Sequence, residues 1–201
     1  MRTRANLTLI ALAMLLLPGM ALAETPDGTW RFMGIFSNPG GDFTGDIIGV
    51  PTTIEADSSS GLGISYEIRT SDLLGVEFGI FGTDFDFQIS ALGMNADFGS
   101  ALMLPITAGV NVHVAHGNKV DFHVGPVLSY TTWGDLDSDL GDAPLDNELD
   151  FGGKAGLDLF LGDSGWSFYA GAMYLKSAAG DSSLEVDVDP LMVQVGFGKS
   201  F

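Results

Sequence analysis

The side chains in this sequence that could perform chemistry are mostly carboxylates, because its 201 residues include 26 Asp and Glu, three His and no Cys. Hydrolysis would need a nucleophile, a histidine base and an orienting carboxylate that converge on one point. His113, His116 and His123 lie in one short stretch, whereas Ser129 and Ser167 have no histidine near them in the predicted arrangement. No Gly-x-Ser-x-Gly motif occurs in the sequence. We therefore predict a protein that is not an enzyme and has no catalytic residues.

Metal binding is the second kind of chemistry that the carboxylates suggest. Asp135, Asp137 and Asp139 are spaced as in the Asp-x-Asp-x-Asp part of a calcium loop. Such a loop usually has Gly at its sixth position and a bidentate Glu at its twelfth, where this sequence has Leu140 and Asp146. The sequence therefore predicts a solvated acidic loop, with no dedicated metal site and no cofactor. Divalent ions could still bridge its carboxylates to phosphate groups of neighbouring molecules.

The overall charge narrows the class of partner. The formal net charge is −18, which argues against nucleic acid, since phosphates require a basic surface. The mean hydropathy is nevertheless +0.28. A chain that is both acidic and apolar must separate the two characters, and the acidic residues here concentrate between apolar segments.

The amino-terminal residues predict export. Arg2 and Arg4 precede an apolar stretch over residues 7–17, and small residues follow at 21–23. This layout is typical of a secretory signal peptide. No other stretch reaches the roughly 18 uninterrupted apolar residues of a spanning helix. We expect residues 1–23 to be the signal peptide and residues 24–201 to form one domain.

That domain contains alternating apolar and polar segments, which are typical of strands that expose opposite faces to different environments. Eight strands are predicted, at residues 29–37, 61–70, 74–85, 101–115, 119–133, 150–161, 166–176 and 188–201. The gaps at 71–73, 116–118 and 162–165 are short, whereas those at 38–60, 86–100, 134–149 and 177–187 are long. Short periplasmic turns, long external loops and an even strand count characterise outer-membrane barrels. The prediction is an all-β protein: an eight-stranded antiparallel transmembrane β-barrel with both termini in the periplasm.

The last predicted strand indicates where in the cell the barrel lies. From Leu191 to the terminal Phe201, apolar residues occupy one parity and small or polar residues the other. A terminal strand that ends on Phe looks like the signal that bacterial outer-membrane barrels present to their assembly machinery. Pro190 lacks a backbone donor, so it predicts a bulge or the start of this strand. We expect the protein in the bacterial outer membrane, with its lipids, lipopolysaccharide and the assembly machinery as partners.

Four stretches carry a more specific pattern: GLGISYEIRTSDLLGVE at 61–77, VGPVLSYTTW at 124–133, AGLDLFLGDSGW at 155–166 and VDVDPLMVQVGFGKSF at 186–201. In this order, they resemble the OmpW family of small outer-membrane barrels. The resemblance implies an eight-stranded barrel with a narrow apolar lumen that admits small hydrophobic molecules. In one departure, Met173 precedes Tyr174 where the family pattern leads us to expect Trp. A gate built on that ring would be altered here.

The alternation along each strand also predicts which side chains face the barrel interior. If the apolar parity faces lipid, its alternates face inward, where an eight-stranded barrel has room only for side chains. Towards the periplasmic end, with His113 and His123 beside them, the inward residues form a charged set that we call the ion plug: Arg31, Glu67, Arg69, Glu77, Asp121 and Asp158.

Towards the outer end, the inward residues become apolar, and we call this set the apolar lumen: Met33, Ile35, Phe81, Met103, Val127, Trp133, Met173, Leu175 and Met192. An apolar cup above a polar plug would take up small hydrophobic solutes and release them sideways into the bilayer. The competing interpretation is that these side chains only pack the barrel, since Met adapts to irregular gaps. The protein would then be a structural barrel, or a receptor or adhesin, without transport.

Overall fold

The computed structural model describes residues 28–47, 50–117, 119–138, 144–180 and 185–201, so the predicted signal peptide, residues 1–23, lies outside the described residues. Within the described part, no helix is long and apolar enough to cross a membrane. The strands are β1 Gly28–Asn38, β2 Asp42–Ile47, β3 Val50–Ala56, β4 Ser59–Arg69, β5 Leu74–Ala91, β6 Met94–His116, β7 Val120–Trp133, β8 Glu148–Phe160, β9 Trp166–Lys176, β10 Ala178–Gly180, β11 Glu185–Asp187 and β12 Leu191–Ser200.

Eight of these strands close into a ring in the order β1-β4-β5-β6-β7-β8-β9-β12. Every neighbouring pair is antiparallel, and β12 returns to β1 with pairings from Thr29–Ser200 to Asn38–Leu191. The predicted all-β, eight-stranded antiparallel barrel is therefore confirmed.

Apolar side chains cover the outside of the ring. On β12, Val193, Val195 and Phe197 point outward, whereas Met192 and Gln194 are buried inside. The same alternation holds on β5, where Ile80 is exposed and its inward neighbours are buried. The parity that the sequence predicts to face lipid thus lies on the outer surface.

The two ends of the barrel differ. At one, which we call the turn end, β4 and β5, β6 and β7, and β8 and β9 are joined by short connections. Both described termini lie there, since the Phe201 amide donates to the Gly28 carbonyl at 3.0 Å. At the opposite end, which we call the hairpin end, the chain builds the hairpins β2–β3 and β10–β11 and the long tips of β5 and β6.

The predicted loop over residues 86–100 is wrong. Strand β5 continues to Ala91 and β6 begins at Met94, so the connection is the two residues Leu92 and Gly93. Both have positive φ, 53° and 76°, as a type I′ hairpin turn requires. The apolar alternation that runs through Phe85 continues at Phe87 and Ile89 beyond the predicted strand end, which explains the extension.

The predicted loops over 38–60 and 177–187 are also wrong in part, because they contain β2, β3, β10 and β11. Strand β3 pairs with the tip of β5, from Thr52–Ala91 to Ala56–Phe87. Ile54 and Ala56 share one parity of β3 and turn inward, which makes this strand a cover over the barrel. In the predicted acidic loop, Asp137 forms an isolated bridge with Ser100, while the predicted calcium-loop positions 139–141 lie outside the described residues.

The prediction for Pro190 agrees with the structure, because β12 begins directly after it at Leu191. The residue before it, Asp189, has a φ of 41°, the left-handed conformation that accompanies an abrupt change of direction. Its carboxylate stabilises this corner by accepting a hydrogen bond from the Ser177 amide at 3.0 Å.

Strand β6 has an interrupted ladder on each side. The pairing with β5 skips from Ile80–Ile106 to Thr83–Met103. The Leu102 carbonyl accepts a hydrogen bond from the amide of Gly134, directly after β7. The backbone groups of residue 105, at the opposite parity, therefore face β5. Pro105 has no N–H to give there, which accounts for the gap beside Phe81.

The second interruption lies lower in the barrel, where the pairing of β6 with β7 skips from Gly109–Val127 to Val112–Val124. Pro126 occupies this gap and again lacks a donor. Both gaps keep the register on their two sides, so they open a seam without displacing a strand.

We expect Val195→Arg to destabilise the barrel in lipid by about 2–4 kcal/mol, because it places a charge in the hydrocarbon at mid-strand. Val195 is 40% exposed and pairs with Gly34 and Ala170 near the middle of β12. Urea unfolding of protein folded into vesicles measures the change. Leu92→Arg, at the exposed β5–β6 turn, should change stability by less than about 0.5 kcal/mol. Equal effects of the two substitutions would contradict a lipid-facing position for Val195.

Candidate functional site

The barrel interior is divided along its axis into a charged lower part and an apolar upper part. Inward positions near the turn end carry Arg, Lys, His and carboxylates, and those near the hairpin end carry Met, Ile, Leu and aromatic side chains. The sequence predicts this division, and the structure brings the residues of each predicted set together.

Arg31 lies at the centre of the ion plug and is 1% exposed. Its guanidinium binds Glu67 of β4 at 2.8 Å, Glu77 of β5 at 2.9 Å and Asp158 of β8 at 2.7 Å. Charge-assisted hydrogen bonds of this kind are stronger than hydrogen bonds between neutral groups. The planar guanidinium supplies several donors in fixed directions. One side chain on β1 thus connects strands from opposite sides of the barrel.

The remaining predicted members of the ion plug form a second group nearer the turn end. Arg69 binds Asp121 through its guanidinium, and its Nε lies 3.9 Å from Glu67. His113 connects the two groups, with Nε2 at 2.6 Å from Glu67 and Nδ1 at 2.8 Å from Asp121. All six predicted ion-plug residues therefore belong to one connected network.

The sequence analysis missed Lys154, which completes this network. Its ammonium lies 2.7 Å from Glu77, and its side chain is only 7% exposed. Lys154 shares the parity of Asp158 on β8, so the alternation already indicated an inward position. Asn111 and Ser167 are further missed partners: Asn111 donates to Glu77 at 3.1 Å and Ser167 to Asp158 at 2.7 Å.

An aromatic layer lies against the ion plug. The Tyr169 ring lies under the Arg31 guanidinium at 5.2 Å, and its hydroxyl donates to Gln194 at 3.2 Å. His123 stacks on the same ring, with centroids 6.3 Å apart and an interplanar angle of 13°. Gly156 makes room for this stack, because a Cβ there would overlap the His123 ring.

The apolar lumen is buried and packed. Each of the nine predicted residues is at most 7% exposed, and all belong to one contiguous cluster. The structure extends the cluster towards the hairpin end with residues that the sequence analysis missed. Most of them lie in segments predicted as loops, although Phe85 and Val188 lie in predicted strands, at the parities of Phe81 and Met192. They are Ile54, Ala56, Phe85, Phe87, Leu136, Ala179, Val186 and Val188.

These added residues cover the apolar lumen. Ile54 and Ala56 come from β3, Leu136 follows β7, and Val188 follows β11. The Val188 carbonyl and amide are fixed by hydrogen bonds with Gly40 and Ser177, both at 2.9 Å. The described conformation is therefore a covered apolar interior rather than the outward-opening cup that the sequence suggested.

The two serines considered as nucleophiles have other contacts. Ser167 donates to Asp158 within the ion plug, and Ser129 hydrogen-bonds Thr131 at 3.2 Å. Thr131 in turn donates to Asp150. These contacts place both serines in structural networks of the barrel wall.

Comparisons with known proteins agree with the fold. Residues 9–201 match the family model described as the outer membrane protein beta-barrel domain. No curated protein matches the sequence. Among solved structures, OprG from Pseudomonas aeruginosa is similar with a TM-score of 0.75 and 22% identity, over 88% of this chain and 96% of that one.

Two further outer-membrane barrels are similar in fold. The outer-membrane protein AlkL, solved in lipid bilayers, has a TM-score of 0.65 and 15% identity, over 88% of this chain and 90% of its own. Neisserial surface protein A has a TM-score of 0.59 and 14% identity, over 87% of this chain and 97% of its own. At these identities, the similarities show the fold alone.

We expect Arg31→Gln to lower the free energy of unfolding by about 3–5 kcal/mol, because three buried carboxylates lose their shared cation. Denaturant unfolding in vesicles or detergent measures it. Lys176→Gln is the matched control, since the Lys176 side chain is 55% exposed and its ammonium lies 3.6 Å from Asp189. Such surface pairs contribute at most about 1 kcal/mol. A loss in Arg31→Gln no larger than in the control would contradict the central role of Arg31.

Proposed function

Because the chain belongs to the family of outer membrane protein beta-barrel domains and lies in the bacterial outer membrane, we propose that it takes up small hydrophobic molecules and releases them sideways into the bilayer. The observation that carries this proposal is the axial division of the interior. Apolar side chains form a continuous cluster below the hairpin end, and charged side chains fill the turn end. A hydrophobic solute that entered from outside would meet compatible side chains first and a charged floor afterwards.

The floor argues for lateral release over passage along the axis. The guanidinium, ammonium and carboxylates of the ion plug are already paired, so an apolar solute that displaced them would leave buried charges without partners. The way through the wall costs less. The β5–β6 ladder is open beside Phe81, at the depth of the apolar lumen, because Pro105 has no N–H. On the outer face of this gap, Gly82 has no side chain, and the Leu104 side chain lies beside it.

Entry would require the cover to move. Ile54 and Ala56 of β3 and Leu136 pack on the apolar lumen without a disulfide or an ion pair among them. Contacts of this kind between apolar side chains are individually weak. We infer that a hydrophobic solute replaces these contacts with its own and thereby opens the hairpin end.

Orientation and biogenesis follow the same proposal. We place the turn end, with both described termini, in the periplasm and the acidic hairpin end outside, next to lipopolysaccharide. Residues 1–23 would be removed as a signal peptide, and the strand ending at Phe201 would be recognised by the barrel assembly machinery.

The segments at 61–77 and 186–201 favour the OmpW branch of the family. Met173, 2% exposed within the apolar lumen, would there replace the expected Trp. We further propose that the protein is not an enzyme.

A receptor or adhesin role without transport is the second candidate, and one observation favours it. The β5–β6 tip projects beyond the barrel with Leu92 and Met94 exposed at 75% and 69%. Next to it lies a shallow cleft of about 310 Å³, formed with Pro51 of β3. An exposed apolar tip of this kind can serve as a contact surface for another molecule.

Solute entry can be detected through Trp133, which is buried in the apolar cluster, whereas Trp30 and Trp166 are exposed on the outer face. In a Trp30→Phe, Trp166→Phe background, a brominated alkane should quench Trp133 saturably, because contact with bromine is required. Met192→Asp, which puts a carboxylate into the apolar lumen, should abolish the quenching. Leu191→Asp, on the outward face of the same strand, is the control and should retain it. Absence of saturable quenching in the parent protein would favour the receptor role.

Lateral release can be tested at Pro105. Pro105→Ala restores the backbone donor opposite Phe81, which should close the seam and stabilise the barrel by about 0.5–1.5 kcal/mol. Transfer of a lipophilic fluorophore into proteoliposomes with an outer leaflet of lipopolysaccharide should slow. Pro126→Ala closes the lower gap between β6 and β7 and is the matched control. Equal transfer rates in the two variants would contradict release through the β5–β6 seam.

A further inference from the structure

We propose that His113, Asp121 and His123 bind a divalent transition-metal ion such as Zn²⁺, with Glu67 as the residue that orients His113. The site lies on the inner face of β6 and β7, in the charged part of the interior near the turn end, and is separate from the apolar lumen. The proposal stands or fails independently of solute uptake.

The register of β6 and β7 positions the three ligands. His113 and His123 are directly opposite each other across the two strands, and their rings are 5.4 Å apart. Asp121 lies two residues before His123 and therefore shares its inward face. One ligand atom from each of the three residues lies within 4.8 Å of the others, and all three residues are buried.

His123 is the observation that points to a ligand. It is fully buried, at 0% exposure, yet neither ring nitrogen has a hydrogen-bond partner among the described residues. A buried polar group without a partner is unfavourable, and such groups call for a specific explanation. The His123 ring stacks on Tyr169, and Gly156 leaves room for the ring because it has no side chain. A metal ion on one nitrogen would satisfy it.

His113 is arranged as a metal-binding histidine with an orienting carboxylate. Its Nε2 lies 2.6 Å from Glu67, whose carboxylate can accept a hydrogen bond from the Nε2–H group, so that the lone pair of Nδ1 is left for a metal. Carboxylate–histidine pairs of this kind set the tautomer and the ring direction at metal sites. Nδ1 is 2.8 Å from the Oδ1 atom of Asp121. Tetrahedral Zn²⁺ with bonds of about 2.0–2.2 Å would widen this contact to about 3.4 Å.

The charges of the ion plug also favour an additional cation. Four carboxylates, those of Glu67, Glu77, Asp121 and Asp158, face only three Arg and Lys side chains, those of Arg31, Arg69 and Lys154. The remaining negative charge favours an additional cation, such as a metal ion, at this place. Two imidazoles and one carboxylate suit Zn²⁺, Fe²⁺, Co²⁺ or Ni²⁺, whereas Mg²⁺ and Ca²⁺ prefer oxygen ligands alone.

Glu67, Glu77 and His123 form an overlapping group, but it is the weaker candidate. Both oxygens of Glu77 are held, one by Lys154 at 2.7 Å and the other by Arg31 at 2.9 Å. A metal there would have to displace one of these cations. In the His113 group, the Oδ1 atom of Asp121 contacts the His113 ring, which is itself a ligand, rather than a cation. His116, 46% exposed and 3.5 Å from Asp121, marks the side from which an ion would arrive.

The test uses the folded barrel in detergent, treated with a chelator and titrated with Zn²⁺ and Co²⁺. We expect a single equivalent to bind and Co²⁺ to give the visible absorption of nitrogen and oxygen coordination. His123→Phe keeps the stack on Tyr169 but removes the ligand, and Asp121→Asn removes the carboxylate; both should abolish stoichiometric binding. Glu67→Gln should weaken binding by about 10- to 100-fold. His116→Gln is the control and should bind as the parent does.

Circular dichroism and gel mobility before and after heating establish that each variant folds. Binding that survives in His123→Phe but disappears in His116→Gln would place the ion on the exposed histidine and overturn the proposal. If the variants do not fold, the parent protein decides alone. Crystals grown with Zn²⁺ should show an anomalous scattering peak between His113 and His123, and a peak elsewhere, or none, would overturn the proposal.

Discussion

The three carboxylates around Arg31 come from β4, β5 and β8, so one buried guanidinium connects strands that are distant around the ring. This connection is possible because an eight-stranded barrel is only wide enough for side chains from opposite walls to meet. Each charge in such an interior depends on its partners, since a carboxylate deprived of its cation has little water to replace it. The position of Arg31 therefore constrains the inward residue types on several other strands.

The same constraint explains why polar and apolar residues separate along the axis. Charges cost least when they cluster, because each carboxylate then serves more than one cation, as Glu77 does for Arg31 and Lys154. The rest of the interior is left for apolar side chains, which gain by excluding water. Since β3 and the segment around Val188 fold over this part, its burial also holds the hairpin end together.

Strand parity alone predicted the barrel, the outward belt and the inward position of every residue in the two predicted sets. It succeeded because side chains alternate strictly along a strand, and one face must be apolar in lipid. The strand ends were harder to predict. Phe87 and Ile89 continue the alternation of β5 beyond the predicted strand end at residue 85. Asp86 and Gln88, at the other parity, are exposed in the structure, so this part of the strand has one apolar and one solvated face.

The contacts within the site were only partly accessible to sequence reasoning. Lys154 could have been found by parity, but its pairing with Glu77 requires knowing that β8 faces β5 across the ring. Val188 could have been found by parity, because it lies in the predicted strand 188–201 four residues before Met192. Ile54 could not, because it belongs to a segment predicted as a loop, which folds over the barrel through tertiary contacts. The alternation of residue types tells which side of a strand faces inward, whereas the cover over the apolar lumen depends on how the β2–β3 hairpin bends across the barrel.

The two gaps in the hydrogen-bond ladders of β6, at Pro105 and Pro126, lie beside different parts of the barrel interior. Proline is normally excluded from central strands, and every strand of a closed barrel is central. Pro105 and Pro126 therefore each remove a hydrogen bond that hydrocarbon cannot replace. The gap at Pro105 lies beside Phe81 at the depth of the apolar lumen, where an apolar molecule could use it. The gap at Pro126 lies lower in the barrel. Under the proposed function, the upper gap is therefore the one that would connect the apolar lumen to the bilayer, whereas the paired charges of the ion plug would oppose movement along the axis.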